Sequence, residues 1–115
     1  MKYLFLVLGC LSINAALAQG PSTGIFQNNV DVGNPKNHGS SVYNQHDQSY
    51  TLKGSGYNIW FERDEFHYLY NKIKGDFILT ANFKLEGQSK NAHRKTGWMI
   101  RWSTSEKSPH ISAVL

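Results

Sequence analysis

Residues 76–85 have the sequence DFILTANFKL, in which apolar side chains occupy every second position. The regularly spaced apolar set is Phe77, Leu79, Ala81, Phe83 and Leu85. Alternation with a period of two places such side chains on one face of a β-strand and the intervening ones on the other. The pattern therefore predicts a strand with one face in a core and the other mostly in water.

Further short β segments are predicted around this strand, separated by residues that favour turns. They are Ser41–Asn44, Ser49–Lys53, Tyr57–Phe61, Phe66–Tyr70, Gly97–Ser103 and His110–Leu115. Asn28 and Asn29 are expected to break a short edge strand that starts at Ile25, and Gly54–Gly56 to form a hairpin turn. Only 64–74 competes as a short helix, and it is rich in Phe, Tyr and His rather than in helix formers. The spacing predicts an all-β sandwich or barrel.

The first 18 residues have the features of a secretory signal peptide. Lys2 gives a basic start, residues 3–17 are almost entirely apolar, and small residues at Ala16 and Ala18 precede the expected cleavage site. In the alternative interpretation, Cys10 is the lipid-modified first residue of a lipoprotein, but the apolar stretch before it is short and resumes after it. No segment is long enough for a membrane span. We expect an exported protein, periplasmic or extracellular, with a signal peptide at 1–18, a leader and turn-rich loop at 19–39 and a partial sandwich at 40–115.

Composition restricts the classes of partner and of cross-link. Cys10 is the only cysteine, so a chain cleaved after Ala18 has neither disulfides nor a thiolate metal site. Removal of Lys2 leaves 11 Lys and Arg against 8 Asp and Glu, a net charge of +3. The charges are interleaved and the only basic cluster is at 93–95, whereas a nucleic-acid binder shows a denser basic stripe. We therefore expect no nucleic-acid partner.

The last predicted strand ends in three apolar residues at 113–115. An unpaired apolar edge strand invites aggregation in an exported domain. The expectation is that the sandwich is incomplete at this end and that the chain is a fragment. A complete small Greek-key domain is the alternative.

A possible catalytic pattern begins at Glu62 and then fails. Sandwich glucanases use Glu-x-Asp-x-x-Glu along one strand, and here Glu62 and Asp64 are followed by His67 in place of the last glutamate. A retaining glycosidase needs two carboxyl groups about 5–5.5 Å apart. The preferred interpretation is that Asp64 caps a turn while Glu62 and Glu65 are solvated. We expect that the chain is not an enzyme.

Metal and cofactor sites are weakly supported by the sequence. No two histidines stand at a spacing that would place them on one site; they are His38, His46, His67, His93 and His110. Loop oxygens for calcium exist without the spacing of an EF-hand; they belong to Asp31, Asn34 and Asp47. No cofactor is predicted.

Aromatic residues are the strongest candidates for binding, because rings on a sheet face or loop rim can stack on sugar rings. Strand aromatics also pack in cores. Trp98, Ile100 and Trp102 share one strand face, and if that face is the core, Met99 and Arg101 point outward. The candidate ligand-binding residues are Trp60, Trp102, Tyr68 and Arg101.

Three blocks in order resemble a known module. They are SGYNIWFERDEFHY at 55–68, GDF at 75–77 and HRKTGWMIR at 93–101. Together they resemble the N-terminal concanavalin A-like (laminin G-type) sandwich of exported bacterial TolB-like proteins, a module of a family of unknown function. The resemblance covers about 25–115 and implies an antiparallel jelly-roll sandwich, incomplete here. It implies no catalytic residues, and the matched framework positions are Asp64, Gly75, Asp76, Gly97 and Arg101.

The relatives implied by this resemblance carry a β-propeller after the sandwich and are often described as biopolymer transport components. We expect an exported, non-enzymatic sandwich module, the N-terminal fragment of such a protein, that binds a glycan or a cell-envelope protein. The alternatives are part of, or an accessory to, a glycoside-hydrolase-type sandwich, and a structural spacer. Exposed tryptophans would favour binding, and uniformly buried aromatics a spacer. The sequence leaves the oligomeric state open.

Overall fold

The computed structural model describes residues 23–88 and 91–115, and within these ranges the chain is all-β, as predicted. The predicted signal peptide and Cys10 lie outside the described residues. The described residues form eight strands: β1 Asn28–Val32, β2 Ser40–Asn44, β3 Ser49–Lys53, β4 Ile59–Trp60, β5 Arg63–Asp64, β6 Phe66–Tyr70, β7 Gly97–Arg101 and β8 His110–Val114. No helix in the described part is long and apolar enough to cross a membrane.

The strands form four antiparallel pairs: β1–β6, β2–β3, β4–β5 and β7–β8. In the first pair Asp31 lies directly opposite His67, and in the last Gly97 lies opposite Val114. The turn of the β2–β3 hairpin lies at 45–48, where Gln48 has a φ of 56°. Each pair is small, so contacts between the pairs position the sheets.

Two local predictions were wrong. Asn28 and Asn29 do not break a strand, because β1 pairs along β6 and the Asn71 side chain extends the pairing by accepting from the Gln27 N–H at 2.7 Å. Gly54–Gly56 is not a hairpin turn, since it connects β3 to β4, which do not pair. Its glycines allow close approach instead: a Cβ on Gly56 would stand 1.9 Å from the Glu65 carbonyl oxygen.

The prediction of a strand at 76–85 with one face in a core was also wrong, since Phe77, Leu79 and Phe83 on the apolar face remain 36–42% exposed. Among the described residues this segment has no backbone hydrogen bond to a neighbouring strand. Its apolar face lies against the β7–β8 hairpin, where the Phe83 ring meets the Trp98 ring edge to face at 5.6 Å. Ile78 on the other face is 93% exposed. The segment packs against a sheet face without joining a ladder.

The apolar core is minimal, and Val32 is its one buried large apolar side chain in the described ranges. Polar contacts connect the pairs: the Tyr68 hydroxyl on β6 donates to the Met99 carbonyl on β7 at 2.9 Å. On β7, the Arg101 side chain points inward and binds the buried carboxylate of Asp64. On the opposite face, Trp98 meets the Phe83 ring, whereas Ile100 is exposed, as is Trp102 directly after the strand. The face that carries the tryptophans is therefore covered only at Trp98.

Candidate binding site

The most prominent surface feature is the tip of the β4–β5 hairpin. Ile59 pairs with Asp64 and Trp60 with Arg63, which leaves Phe61 and Glu62 as a two-residue turn. The Trp60 side chain is 63% exposed and that of Phe61 is 89% exposed, and their rings meet edge to face at 5.2 Å. Two large rings therefore project into solvent from one short hairpin.

Phe61 adopts a backbone conformation that its side chain disfavours. Its φ is 55°, in the left-handed region, where a bulky residue is a genuine outlier. Glycine, asparagine or aspartate is the usual choice at such a position. Strained residues of this kind cluster at binding and catalytic sites, where surrounding structure maintains them. A ring that is both strained and exposed is thus a candidate contact residue.

A buried ion pair between Asp64 and Arg101 supports the β4–β5 hairpin. Arg101 Nη1 donates to Asp64 Oδ2 at 3.2 Å, and the two side chains are 1% and 2% exposed. The Arg101 guanidinium also lies over the Phe66 ring at 5.1 Å and donates from Nε to the Ser103 carbonyl at 2.7 Å. Arg101 therefore fixes β5 to β7 and to the turn that follows β7.

That turn, residues 102–109, carries a third exposed ring. Trp102 is 92% exposed, and its N–H donates to the Pro109 carbonyl at 3.3 Å. The Asp64 N–H donates to the Glu106 carbonyl at 3.2 Å, which ties the turn to the hairpin. An exposed contact between Lys107 Nζ and Glu62 Oε2 at 3.5 Å bridges the two loops. We call Trp60, Phe61 and Trp102 the aromatic rim.

One side of the hairpin is held by Glu65, which is buried although the sequence predicted it to be solvated. Its carboxylate accepts from Arg63 at 2.8 Å and from the Tyr57 N–H at 2.9 Å. The hydrogen bond from Arg63 and that from Tyr57 lower the pKa of Glu65 below its ordinary value. The Arg63 guanidinium lies over the Tyr57 ring at 5.0 Å. The contacts among Tyr57, Arg63 and Glu65 therefore stabilise the base of the β4–β5 hairpin when Glu65 is ionised.

The two carboxylates of the glycosidase-like pattern, Glu62 and Asp64, and the neighbouring Glu65 have different surroundings. The prediction that Asp64 caps a turn was wrong, because its side chain is buried against Arg101. Asp64 Oδ1 has no hydrogen-bond partner among the described residues. His110 Nδ1 lies 3.5 Å from its other oxygen. Glu65 is bound by Arg63, and Glu62 is exposed as predicted. Asp64 and Glu65 therefore both serve ion pairs within the fold.

The four predicted ligand-binding residues fall into two groups. Trp60 and Trp102 lie on the aromatic rim. Tyr68 and Arg101 lie inside, where Tyr68 stacks on Tyr70 with ring centroids 5.1 Å apart. Burial raises the pKa of Tyr68, and the nearby charge of Arg101 partly opposes that rise. Phe61 was not predicted as a candidate, because its positive φ angle cannot be recognised from the composition of the segment.

A second cluster was also missed, and it joins β1, β2 and β6. His67 Nδ1 donates to Asp31 Oδ1 at 2.8 Å, and Ser41 Oγ lies 2.9 Å from His67 Nε2. Asp31 accepts further hydrogen bonds from the Gly39 N–H and from His38 Nδ1, both at 3.0 Å. Because a carboxylate only accepts, Nδ1 of His67 is the donor in that contact, and Nε2 faces the serine hydroxyl. The order of groups is that of a serine-hydrolase triad.

The packing around this cluster indicates a structural tie. The His67 side chain is almost fully buried, and a Cβ on Gly39 would stand 2.3 Å from its Cγ. Burial raises the pKa of Asp31, but the hydrogen bonds from His67, His38 and Gly39 outweigh this and lower it below 3.8. The carboxylate of Asp31 thus joins the β1–β6 pair to the β2–β3 hairpin.

No group of three His, Cys, Asp or Glu residues in the described ranges is arranged to hold a metal ion. Two of the loop oxygens considered for calcium belong to side chains that accept local N–H groups. Asp31 accepts from Gly39, and Asp47 accepts from Ser49 at 3.0 Å.

The chain was compared with known proteins at three levels. No family model, no curated protein and no solved structure matches it. The resemblance to the TolB-like sandwich module therefore stays a prediction, and the functional argument depends on the geometry of the aromatic rim.

Proposed function

We propose that this chain is an exported, non-enzymatic module that binds a glycan through the aromatic rim formed by Trp60, Phe61 and Trp102. The observation that carries the proposal is the exposure of three large rings on two loops that are fixed to each other by the Asp64–Arg101 pair. Pyranose rings present apolar C–H faces, which stack on such surfaces, and their hydroxyl groups need polar neighbours. Glu62 and Lys107 supply these between the two loops.

The rim has the combination of properties that favours binding over a spacer role. A spacer gains nothing from exposing apolar rings, and large exposed apolar patches mark interaction sites or aggregation liabilities. A rigid support reduces the entropy lost on binding, because the rings are already held in place. The cation–π contact of Arg63 with Tyr57 and the buried Arg101 provide this support.

The proposal extends to the finer architecture. The four antiparallel pairs, with segment 76–85 packed across the β7–β8 face, are compatible with two layers of a concanavalin A-like sandwich. The sequence blocks that resemble the TolB-like module coincide with the hairpin, the start of segment 76–85 and β7. In this interpretation Asp64 and Arg101 are framework residues, which agrees with their burial.

The test is titration of the exported chain with a panel of oligosaccharides, including peptidoglycan and lipopolysaccharide fragments, followed by tryptophan fluorescence and by calorimetry. We expect a fluorescence shift with at least one glycan. Trp60→Ala and Trp102→Ala should each weaken binding by about tenfold, which corresponds to about 1.4 kcal/mol. Ile25→Ala is the matched control, because Ile25 is an exposed apolar residue outside the rim.

Absence of binding across the panel, or equal weakening by the Ile25 control, would overturn the proposal. Release of new reducing ends from a bound glycan would instead identify the glycosidase-type alternative. A circular dichroism spectrum of each variant confirms that the fold is retained, so that lost binding is assigned to the rim.

A further inference from the structure

Segment 76–85 is an extended apolar/polar alternation that has no ladder partner within the described residues. Its apolar face is turned toward the β7–β8 hairpin. An open apolar cavity of about 470 Å³ lies between the segment and the hairpin, bordered by Leu79, Phe83, Trp98 and Val114. Unpaired strand backbone is a template for pairing with another chain. The segment is thus an interaction surface independent of the aromatic rim.

We propose that segment 76–85 pairs antiparallel with the same segment of a second copy of this chain, about a twofold axis at Thr80. In this register Asp76 lies opposite Lys84 of the second copy, Phe77 opposite Phe83, and Thr80 opposite Thr80. Because the interface is isologous, the Asp76–Lys84 contact occurs twice. Opposite charges and aromatic pairs directly across two strands are stabilising.

The charges select this register over its neighbours. A shift by two residues in one direction places Lys74 opposite Lys84 of the second copy, and the opposite shift places Asp76 opposite Glu86. Like charges directly opposite each other are destabilising. A shift by one residue would move the apolar set to the polar face. Parallel pairing in register would place Asp76 against Asp76. The centred antiparallel register avoids all of these conflicts and keeps the whole of 76–85 paired.

The required side chains are accessible. Asp76 and Thr80 are exposed, and Ile78 between them is 93% exposed. Lys84 contacts Glu86 at 3.1 Å in the single chain, but both side chains are largely solvent-exposed, so Lys84 is free to turn to a second copy. Pairing would also bring two inner apolar faces side by side over two β7–β8 hairpins.

The primary test is a charge-reversal series on the exported chain, measured by analytical ultracentrifugation over a range of concentrations. We expect a monomer–dimer equilibrium. Asp76→Lys and Lys84→Asp should each raise the dimer Kd by about tenfold or more, because each puts like charges opposite each other twice. The double variant restores opposite charges and should return Kd to within about threefold of the parent. Lys36→Asp, in an exposed loop, is the control that matches the change in net charge of Lys84→Asp, and Asp47→Lys, in the exposed β2–β3 turn, matches that of Asp76→Lys.

A cross-linking experiment tests the axis directly, in a background with Cys10→Ser. Thr80→Cys places two thiols opposite each other, and directly opposed strand residues have Cα atoms about 4.5–5.5 Å apart, within disulfide range. Oxidation should give a disulfide-linked dimer. Ile78→Cys, on the same face but off the axis, should give none.

A chain that remains monomeric at all concentrations, or one that binds only a different protein through this segment, overturns the proposal. A dimer whose Kd is unchanged by the single reversals and is not restored by the double variant overturns it as well, since the contact then lies elsewhere. Glycan binding is read out separately by the rim variants, so the two proposals fail independently.

Discussion

Arg101→Met is expected to cause the largest loss of stability of any single side-chain truncation near the rim. The substitution keeps the length and the apolar stem of the side chain while removing the guanidinium that binds Asp64 at 3.2 Å. Removing one partner of a buried ion pair leaves an uncompensated buried charge and costs about 3–5 kcal/mol. A cost in this range is expected because both side chains are essentially inaccessible, Asp64 Oδ1 has no partner in the described structure, and the one other contact of the carboxylate is with His110 Nδ1 at 3.5 Å.

The assay is urea unfolding of the chain. With an m-value of about 1–1.5 kcal/mol/M for a domain of this size, the expected loss lowers the midpoint by about 2 M or more. A domain whose whole stability lies near the lower end of 5–15 kcal/mol would then be partly unfolded in buffer. The matched control is Lys107→Met, which removes the exposed contact to Glu62 and should cost at most about 1 kcal/mol.

The double variant Asp64→Leu/Arg101→Met separates the ion pair from the packing. Replacing both partners with apolar residues removes the orphaned charge, so the double variant should be more stable than Arg101→Met by about 2 kcal/mol. The hydrogen bond from Arg101 to the Ser103 carbonyl is lost in both variants and cancels in the comparison. If Arg101→Met shifts the midpoint no more than Lys107→Met, then Arg101 does not support the hairpin and the reasoning is refuted.

Three further outcomes follow from particular residues. Asp31→Asn should destabilise the chain at neutral pH and make its stability less dependent on pH in the acid range. Folding lowers the pKa of Asp31, so the stability that this carboxylate contributes is complete above about pH 3.8 and is lost as the pH falls through the lower pKa of the folded state. Urea midpoints measured at successive pH values test this. Ser41 should not be labelled by a fluorophosphonate, because its hydroxyl is directed at the buried His67; stoichiometric labelling that disappears in His67→Gln would reveal an acyl-transfer site instead. Phe61→Gly should raise the melting temperature slightly and weaken glycan binding. Relief of the left-handed backbone conformation stabilises the fold by about 1–2 kcal/mol, while the greater chain entropy of glycine in the unfolded state costs about 0.5–1 kcal/mol. A lowered melting temperature would show that the Phe61 ring packs against the fold rather than projecting into solvent.

Local sequence patterns identified most of the strands but not how they associate. The alternation in Ser49–Lys53 and Phe66–Tyr70 predicted β3 and β6 with the bounds observed, because period-two spacing and β-branched or aromatic composition act locally. The strand at β1 escaped prediction, since two asparagines outweighed a pairing that depends on β6, far along the chain. The β propensity of a segment depends on a few neighbouring residues, whereas the partner of a strand depends on contacts between segments far apart in sequence.

The orientation of β7 illustrates the same limit at the site. Hydrophobicity alone favours burial of Trp98, Ile100 and Trp102, but only Trp98 is partly covered, by the Phe83 ring. Arg101 on the opposite face is turned inward to meet Asp64. A buried ion pair between residues far apart in sequence leaves no periodic signal. Trp60 and Trp102 were identified as candidates because tryptophan in a strand or turn is conspicuous. Phe61 and the Ser41–His67–Asp31 cluster depend on a backbone angle and on tertiary contacts that no single segment encodes.

The small apolar core gives these polar contacts their significance. With Val32 as the one fully buried large apolar side chain described, the sheets are positioned chiefly by directional interactions: Asp64 with Arg101, and Asp31 with His67. Directional contacts fix relative orientation more narrowly than apolar burial, which is non-directional. They also allow large apolar rings to remain on the surface, since the fold does not need them inside. Segment 76–85 likewise has no ladder partner among the described residues, so the exposed rings of the rim and this unpaired segment are the two surfaces on which the proposals of glycan binding and of dimerisation rest.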